Sequence, residues 1–391
     1  MTQEKRIFGL DLLRVTAVLF VIFHHSLDFV QPNLWLRAFG RLGSLGVEFL
    51  LILTGYLIGH SLLKKLRKDN LTALQIRDFY FRRWSRTLPP YYFFLLIMAT
   101  ISPCFILQLW EHKEYFLFLQ NFAWTTPEFY GQTWTLAVQE FFYIICPLVL
   151  LAGALVFRKS RLAFWVPVLL LLAVPLIVRM FHTHIEDAKG FDHIFRQVVI
   201  FRLDSPVIGV IAAFVEVELP GVWAWILHRA WLGAGLFAIV ATYYLADFPG
   251  LFISHWAQVF FFPVISICVA LLFPFLCNWK ENTSRTADSV RFVSNMTYTI
   301  YVSHYVAFHF GFLFLLFYPV HSLFISYVIY FLFIGAIAYP SYLLVEAPLM
   351  RLRNGEEQTG YIVGFYRWTF GIIRNLGEAL DIPNFGKKWI S

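Results

Sequence analysis

Residues 8–30 read FGLDLLRVTAVLFVIFHHSLDFV. A helix crossing a bilayer needs about 20 mostly apolar residues, and this run supplies them while carrying Asp11 and Arg14 near its start and His24 and His25 near its end. It is too long for a signal-peptide core and lacks a small-residue cleavage site, so it reads as a first transmembrane helix. The step from Arg14 to His25 advances a helix by about 1100°, three turns plus about 20°, and by about 16 Å along the axis. Arg14 and His25 therefore share one face, from which His24 points about 100° away.

Outward from this run the pattern repeats. The chain has 391 residues, 59% apolar and 14% charged, with a mean hydropathy of +0.66. Soluble domains are about a quarter charged, so this composition excludes one. Apolar runs lie near residues 8–30, 43–63, 89–109, 134–157, 162–180, 197–215, 230–246, 251–277, 293–318 and 322–346. They predict an all-α integral membrane protein, a bundle of about ten transmembrane helices over residues 1–353, followed by a tail over 354–391. The cysteines Cys104, Cys146, Cys268 and Cys277 fall in or beside apolar runs, with neither disulfide nor metal-ligand spacing, and read as small packed side chains.

The net charge of +7 is concentrated in short loops, which is not a nucleic-acid footprint. Lys64, Lys65, Arg67, Lys68, Arg77, Arg82, Arg83 and Arg86 fill the second loop, Arg158, Lys159 and Arg161 the fourth, and Lys280, Arg285 and Arg291 the eighth. The positive-inside rule then puts the even loops and both termini in the cytoplasm. In the tail, Tyr361, Phe365, Tyr366, Arg367, Trp368, Phe370, Arg374, Lys387, Lys388 and Trp389 suit a helix lying in the membrane interface, or a solvated tail.

Ionisable side chains at membrane depth cost about 2.5 kcal/mol or more to insert and mark functional cavities. Four groups qualify. His25, on one face with Arg14, has the chemistry of a general base for a hydroxyl, or of a hydrogen-bonded core histidine. Arg83 and Arg86 lie three apart on one face before Pro89-Pro90; arginine forks suit phosphate oxygens, and positive-inside anchoring is the competing role. Glu140, between Trp134 and Tyr143, has no cation at helical spacing and needs a partner from another helix. Arg202 and Asp204, beside Gly209, read as a mutual ion pair. His182, His184, Asp187, Asp192 and His193 fit no metal template, and Walker, HExxH and GxSxG motifs are absent. Ser303-His304 are adjacent, which does not aim one at the other.

Together these residues resemble a family. Leu10-Asp11-Leu12-Leu13-Arg14 with His25 resembles the first-helix motif of the acyltransferase 3 family of membrane-bound acyltransferases. Six further segments are similar to that family's motifs, in order: Gly46-Val47-Glu48-Phe49 through Thr54-Gly55-Tyr56-Leu57-Ile58; Arg83-x-x-Arg86; Trp134 to Tyr143; Arg202-x-Asp204 with Gly209; Thr297-Tyr298-Thr299-Ile300-Tyr301 before His304; and Val345-Glu346-Ala347-Pro348. The likeness spans about residues 9–353. It implies transfer of an acyl group, usually acetyl, from cytoplasmic acyl-coenzyme A to a hydroxyl of an envelope carbohydrate or lipid-linked sugar in a bacterial inner membrane. It implies His25 as the catalytic histidine, Arg14 as its partner, and Arg83 and Arg86 as the donor-binding pair, with no metal.

The chain departs from the pattern at two places. Gln139 stands where many members carry the acid, and Glu140 follows, so either fills that role; Thr54 replaces a common serine. The tail is short for the esterase-like domain some members append.

The resulting expectation is a cavity through the bundle, coenzyme A phosphates on Arg83 and Arg86 and a pantetheine arm of about 16–20 Å threaded toward His25, matching the axial step above. Arg14, Glu140, or Arg202 with Asp204, tunes and holds the site. Attack by the hydroxyl itself and an acyl-histidine intermediate both remain open. The rival reading is a transporter or flippase, which shares intramembrane charges but tends to show repeats with broken helices; neither is visible in the sequence.

Overall fold

A computed structural model describes residues 6–27, 40–67, 71–101, 110–157, 160–182, 185, 187, 190–245, 254–280, 284–318, 320 and 322–353. Cys104, Lys68, Arg158, Lys159, His184 and the whole 354–391 tail lie outside the described residues.

Each of the ten apolar runs carries a helix. They are α1 (Phe8–Ser26), α2 (Leu42–Arg67), α3 (Ala73–Ile101), α4 (Trp134–Phe157), α5 (Leu162–Phe181), α6 (Asp204–Glu218) with its short continuation α7 (Pro220–Leu227), and α8 (Ala230–Leu245). Then follow α9 (His255–Ala270) with α10 (Phe273–Asn278), α11 (Arg285–Phe317), and α12 (Leu323–Ser341), which runs through one π turn into α13 (Ala347–Arg353). Among the described residues, seven helical stretches are long and apolar enough to span, or eight if α6 and α7 count as one. The expected ten is reached only by adding α3, whose first half bears the arginines, and α8, which has 16 residues.

Two boundaries differ from expectation. The third span begins at Ala73 rather than 89, because nothing in Arg77–Arg86 breaks a helix and the rod runs on through Pro89 and Pro90. The basic motif thus rides on the spanning helix itself. Between α6 and α7 the axis turns by 110° at Leu219, where Pro220 opens the new helix. One broken helix is therefore present where none was expected.

The burial pattern is inverted relative to a soluble protein. Phe317 and Phe324 are about three-quarters exposed, whereas Arg179, Arg202, Asp204 and Glu346 are fully buried. Polar groups can sit inside only when paired, and lipid takes the apolar surface.

α2 is the central element, packed on α1 and α6. At the α2–α6 crossing a Cβ on Gly55 would lie 1.7 Å from the Pro206 carbonyl oxygen, and one on Gly209 would lie 2.1 Å from that of Ile52. The backbones touch, so both positions demand glycine. α1 lies between α2 and α11, and α11 pairs with α12.

One end of the bundle, the basic end, gathers Arg6, the arginines of α3 and the last turns of α2 and α6, where Arg67 meets Glu218 at 3.2 Å. At the other end the connection before α4 folds inward. Tyr115, Gln120, Asn121 and Tyr130 are buried, and Asn121 and Phe122 carbonyls accept from Val199 and Ile200 N–H groups.

Candidate active site

Residues from α1, α2, α3, α4 and α11 surround a cavity of about 280 Å³. Its wall along α2 runs from Ser61, near the basic end, to Leu50, about 16 Å of helix. Arg83, Arg86, Arg14, Gln139, Tyr143, Thr54, Thr297 and Tyr301 supply its polar lining. Five of the motif segments thus converge on one space.

The three arginines are held differently. Arg14 Nη1 donates to Asp11 Oδ1 at 3.0 Å and to Ser294 Oγ at 3.1 Å, while Ser294 itself donates to Asp11 at 2.6 Å. Arg6 adds a fork onto the same buried carboxylate. Asp11 is thus the hub that fixes Arg14 against the cavity wall. Arg86 Nε donates to Glu346 Oε1 at 2.8 Å, and Thr299 Oγ1 donates to Glu346 Oε2 at 2.5 Å. The basic motif, the Thr297–Tyr301 stretch and the Glu346-Ala347-Pro348 segment are joined there in one network. Arg83 lays its guanidinium 3.9 Å above the Tyr143 ring, and its buried Nε has no hydrogen-bond partner among the described residues. A buried guanidinium donor without an acceptor is a ready anion contact.

Gln139 and Glu140 separate on α4. Leu136, Gln139 and Tyr143, at helical spacing, face the cavity. Glu140 turns toward α3, where Trp84 Nε1 donates to its Oε2 at 3.0 Å beside Arg83. The interhelical partner it required comes from α3, and it is Gln139, not Glu140, that lines the cavity.

Arg202 and Asp204 do not pair with each other. Arg202 Nη2 donates to Glu48 Oε1 and Asp204 accepts from Arg179 Nη2, each at 2.5 Å. Two positions apart at a helix start, the two side chains leave in different directions, and each finds an opposite charge on another helix. Ser205 joins the first pair through Glu48 Oε2 at 3.0 Å, and the Phe262 ring lies 3.7 Å from the Arg202 guanidinium. These pairs brace α2, α5, α6 and α9 away from the cavity.

His25 is not in the cavity wall. Arg14 and Val18 of α1 reach it, but between it and His25 stand Tyr301 and His304, one helical turn apart on α11. The Tyr301 and His304 ring centroids are 5.5 Å apart, and those of His304 and His25 are 5.1 Å apart. Tyr301 Oη donates to the Gln132 carbonyl at 2.9 Å and also meets Thr135 Oγ1. Ser303 and His304 do not bond to each other; their side chains turn to the Ile300 and Tyr301 carbonyls. An open slot from Arg83 through to the imidazole was expected, and this cavity stops one aromatic layer short of it.

Near His25 at the opposite end, Trp134 has Arg196 5.5 Å above its ring. Arg196 also pairs with Asp192 and bonds Ser44. Burial alone would raise the Asp192 carboxyl, but the adjacent Arg196 outweighs it and holds it below the usual carboxylate range. Asp192, one of the two acids of the fifth-loop cluster, is therefore committed to a cation within the fold. Arg179, Arg196 and Ser294 were not singled out from the sequence. The first two carried a readable signal, a lone arginine at the edge of an apolar run; Ser294 carried none.

Comparison with known proteins agrees with this assembly. The profile of the acyltransferase 3 family, described as an acyltransferase domain, matches residues 7–343. YrhL of Bacillus subtilis, a protein named for peptidoglycan O-acetylation, is 28% identical over 340 residues, covering 78% of this chain and 49% of its own. The peptidoglycan O-acetyltransferase OatA of Listeria monocytogenes is 29% identical over 165 residues, 38% of this chain and 25% of its own. The chain spans about half the length of the first relative and less of the second. No solved structure matches it. With the motif segments in order and five of them gathered around one cavity, the chain belongs to the acyltransferase 3 family of membrane-bound acyltransferases.

Proposed function

We propose that this chain is an O-acyltransferase. It takes an acyl group, acetyl in the simplest case, from acyl-coenzyme A at the basic end and passes it to a hydroxyl of an envelope carbohydrate or lipid-linked sugar at the opposite end. The observation that carries this reading is the cavity with Arg83 unsatisfied at Nε and Arg86 and Arg14 farther along its wall. At about 280 Å³ it is at the small end of ligand sites and suits a narrow arm rather than a nucleotide. The nucleotide phosphates then stay at the mouth against Arg83, and the pantetheine arm lies along α2 past Tyr143 and Arg86. In this reading the protein sits in a bacterial inner membrane, and the Lys/Arg-rich loops favour the basic end and both termini being cytoplasmic. The names of the relatives favour a peptidoglycan-type acceptor.

In the reaction, the acceptor hydroxyl oxygen attacks the thioester carbonyl carbon while His25 takes the hydroxyl proton. The carbon–sulfur bond breaks, and the coenzyme A thiolate leaves and takes that proton from His25. Arg14, held by Asp11, stabilises negative charge on the donor side. Tyr301 separates the cavity from His25, so the acyl end meets the hydroxyl only when that ring turns aside.

The test is coenzyme A thiol release by protein purified into liposomes, with acetyl-coenzyme A and a soluble peptidoglycan digest. Thiol release should accompany acetylation of the digest, and His25→Ala should lower turnover by about 10²–10⁴-fold with insertion intact. Near-normal turnover in that variant would remove His25 from the chemistry. Movement of a lipid-linked sugar across the bilayer without thiol release would favour a flippase instead.

A further inference from the structure

The layer between the cavity and His25 contains a group the reaction above does not use. His304 is fully buried, and its Nδ1 bonds the Tyr301 carbonyl. A carbonyl only accepts, so Nδ1 carries the proton and Nε2 of the neutral ring presents a lone pair. That Nε2 is buried and has no hydrogen-bond partner among the described residues. Buried acceptors are nearly always satisfied, and an orphan next to a reacting centre needs a reason.

The reason lies across the gap to α1. The His25 ring is 5.1 Å from the His304 ring, centroid to centroid, with planes inclined by 38°. Two imidazoles joined by an N–H···N bond of about 2.9 Å have centroids about 5 Å apart. The separation is therefore already that of a bonded pair, and a turn of the His25 ring completes it.

We infer that His304 is a positioning residue for His25: its Nε2 accepts the N–H of His25, fixes that ring's tautomer and turns the other nitrogen toward the acceptor hydroxyl. The series Tyr301 carbonyl, His304, His25 then has the relation of orienter to base found in hydrolytic triads, with a neutral imidazole in place of the carboxylate. Tyr301 thus closes the cavity with its ring and anchors His304 with its backbone carbonyl. The inference rests on His25 acting as the base. The alternative is that His304 only fills space between α1 and α11, and an apolar ring would do that as well.

The two roles give opposite results in His304→Phe and His304→Gln. Phe keeps ring volume without an acceptor, whereas the Gln amide oxygen reaches the region of Nε2. With acetyl-coenzyme A and a soluble peptidoglycan digest, kcat of His304→Phe should fall about 100-fold with KM for acetyl-coenzyme A within about twofold. His304→Gln should stay within about tenfold of the parent. An active Phe variant with an impaired Gln variant, or a change confined to KM, overturns the proposal. Should neither variant fold, the parent protein labelled with nitrogen-15 at histidine gives the answer. A coupling across a hydrogen bond between two imidazole nitrogens is expected, and its absence overturns the proposal. Activity in His25→Ala would bring down the base itself, whereas an inactive His25→Ala beside an active His304→Phe would bring down this inference alone.

Discussion

Arg83 and Arg86 share a motif and a helix face, yet their surroundings assign them different work. Arg86 neutralises Glu346, whose side chain is fully buried. Arg86→Leu would leave that carboxylate without its cation, a loss of about 3 kcal/mol or more, visible as a large fall in the thermal midpoint in detergent. Among the described residues Arg83 makes no hydrogen bond to a carboxylate and only stacks on Tyr143 beside Glu140, so Arg83→Gln should lower the midpoint less than Arg86→Leu while raising KM for acyl-coenzyme A about tenfold, the worth of one charge-assisted contact. Equal effects of the two changes on stability would contradict this division. In the sequence the two arginines looked equivalent, because spacing reports a shared face and not the partner that faces it. The Arg202–Asp204 reading failed for the same reason. Proximity in the chain suggested a pair, but the charges that answer them, Glu48 and Arg179, come from helices more than 20 residues away in sequence. Arg14 and Tyr143 were legible because each belongs to one of the five motif segments that reach the cavity.

At the level of elements, the site depends on how closely α2 can approach α6, since α2 supplies one long wall of the cavity. Gly55 and Gly209 allow the backbones to touch. Gly209→Ala forces a methyl against the Ile52 carbonyl and should cost about 1–3 kcal/mol, read as a lower thermal midpoint. An unchanged midpoint would mean that the crossing is looser than described. Positions of the apolar runs translated well into helices, and the run at 134–157 coincides with α4. The start of α3 was not legible from hydropathy, because arginines on a helix look like a loop when only apolar content is read. The turn at Leu219 was also hidden: Pro220 marks a possible break, but a proline within an apolar stretch equally starts or merely bends a helix. The inward-folded segment with Gln120, Asn121 and Tyr130 had no periodic signal at all.

On the scale of the whole molecule, paired charges lie inside and phenylalanines outside, and the cavity stands at the centre of that arrangement. Composition alone showed that the chain belongs in lipid. What it could not show is where the cavity ends, since that depends on one tyrosine ring of α11, Tyr301, held against the start of α4 by Gln132 and Thr135. The proposed reaction requires the donor's arm to occupy this cavity. A cryo-electron microscopy map of the protein with coenzyme A would reveal the arm. Phosphate density is expected against Arg83, with a continuous arm past Tyr143 toward Tyr301. Coenzyme A bound elsewhere, with the cavity between Arg83 and Arg14 empty, would contradict the proposal.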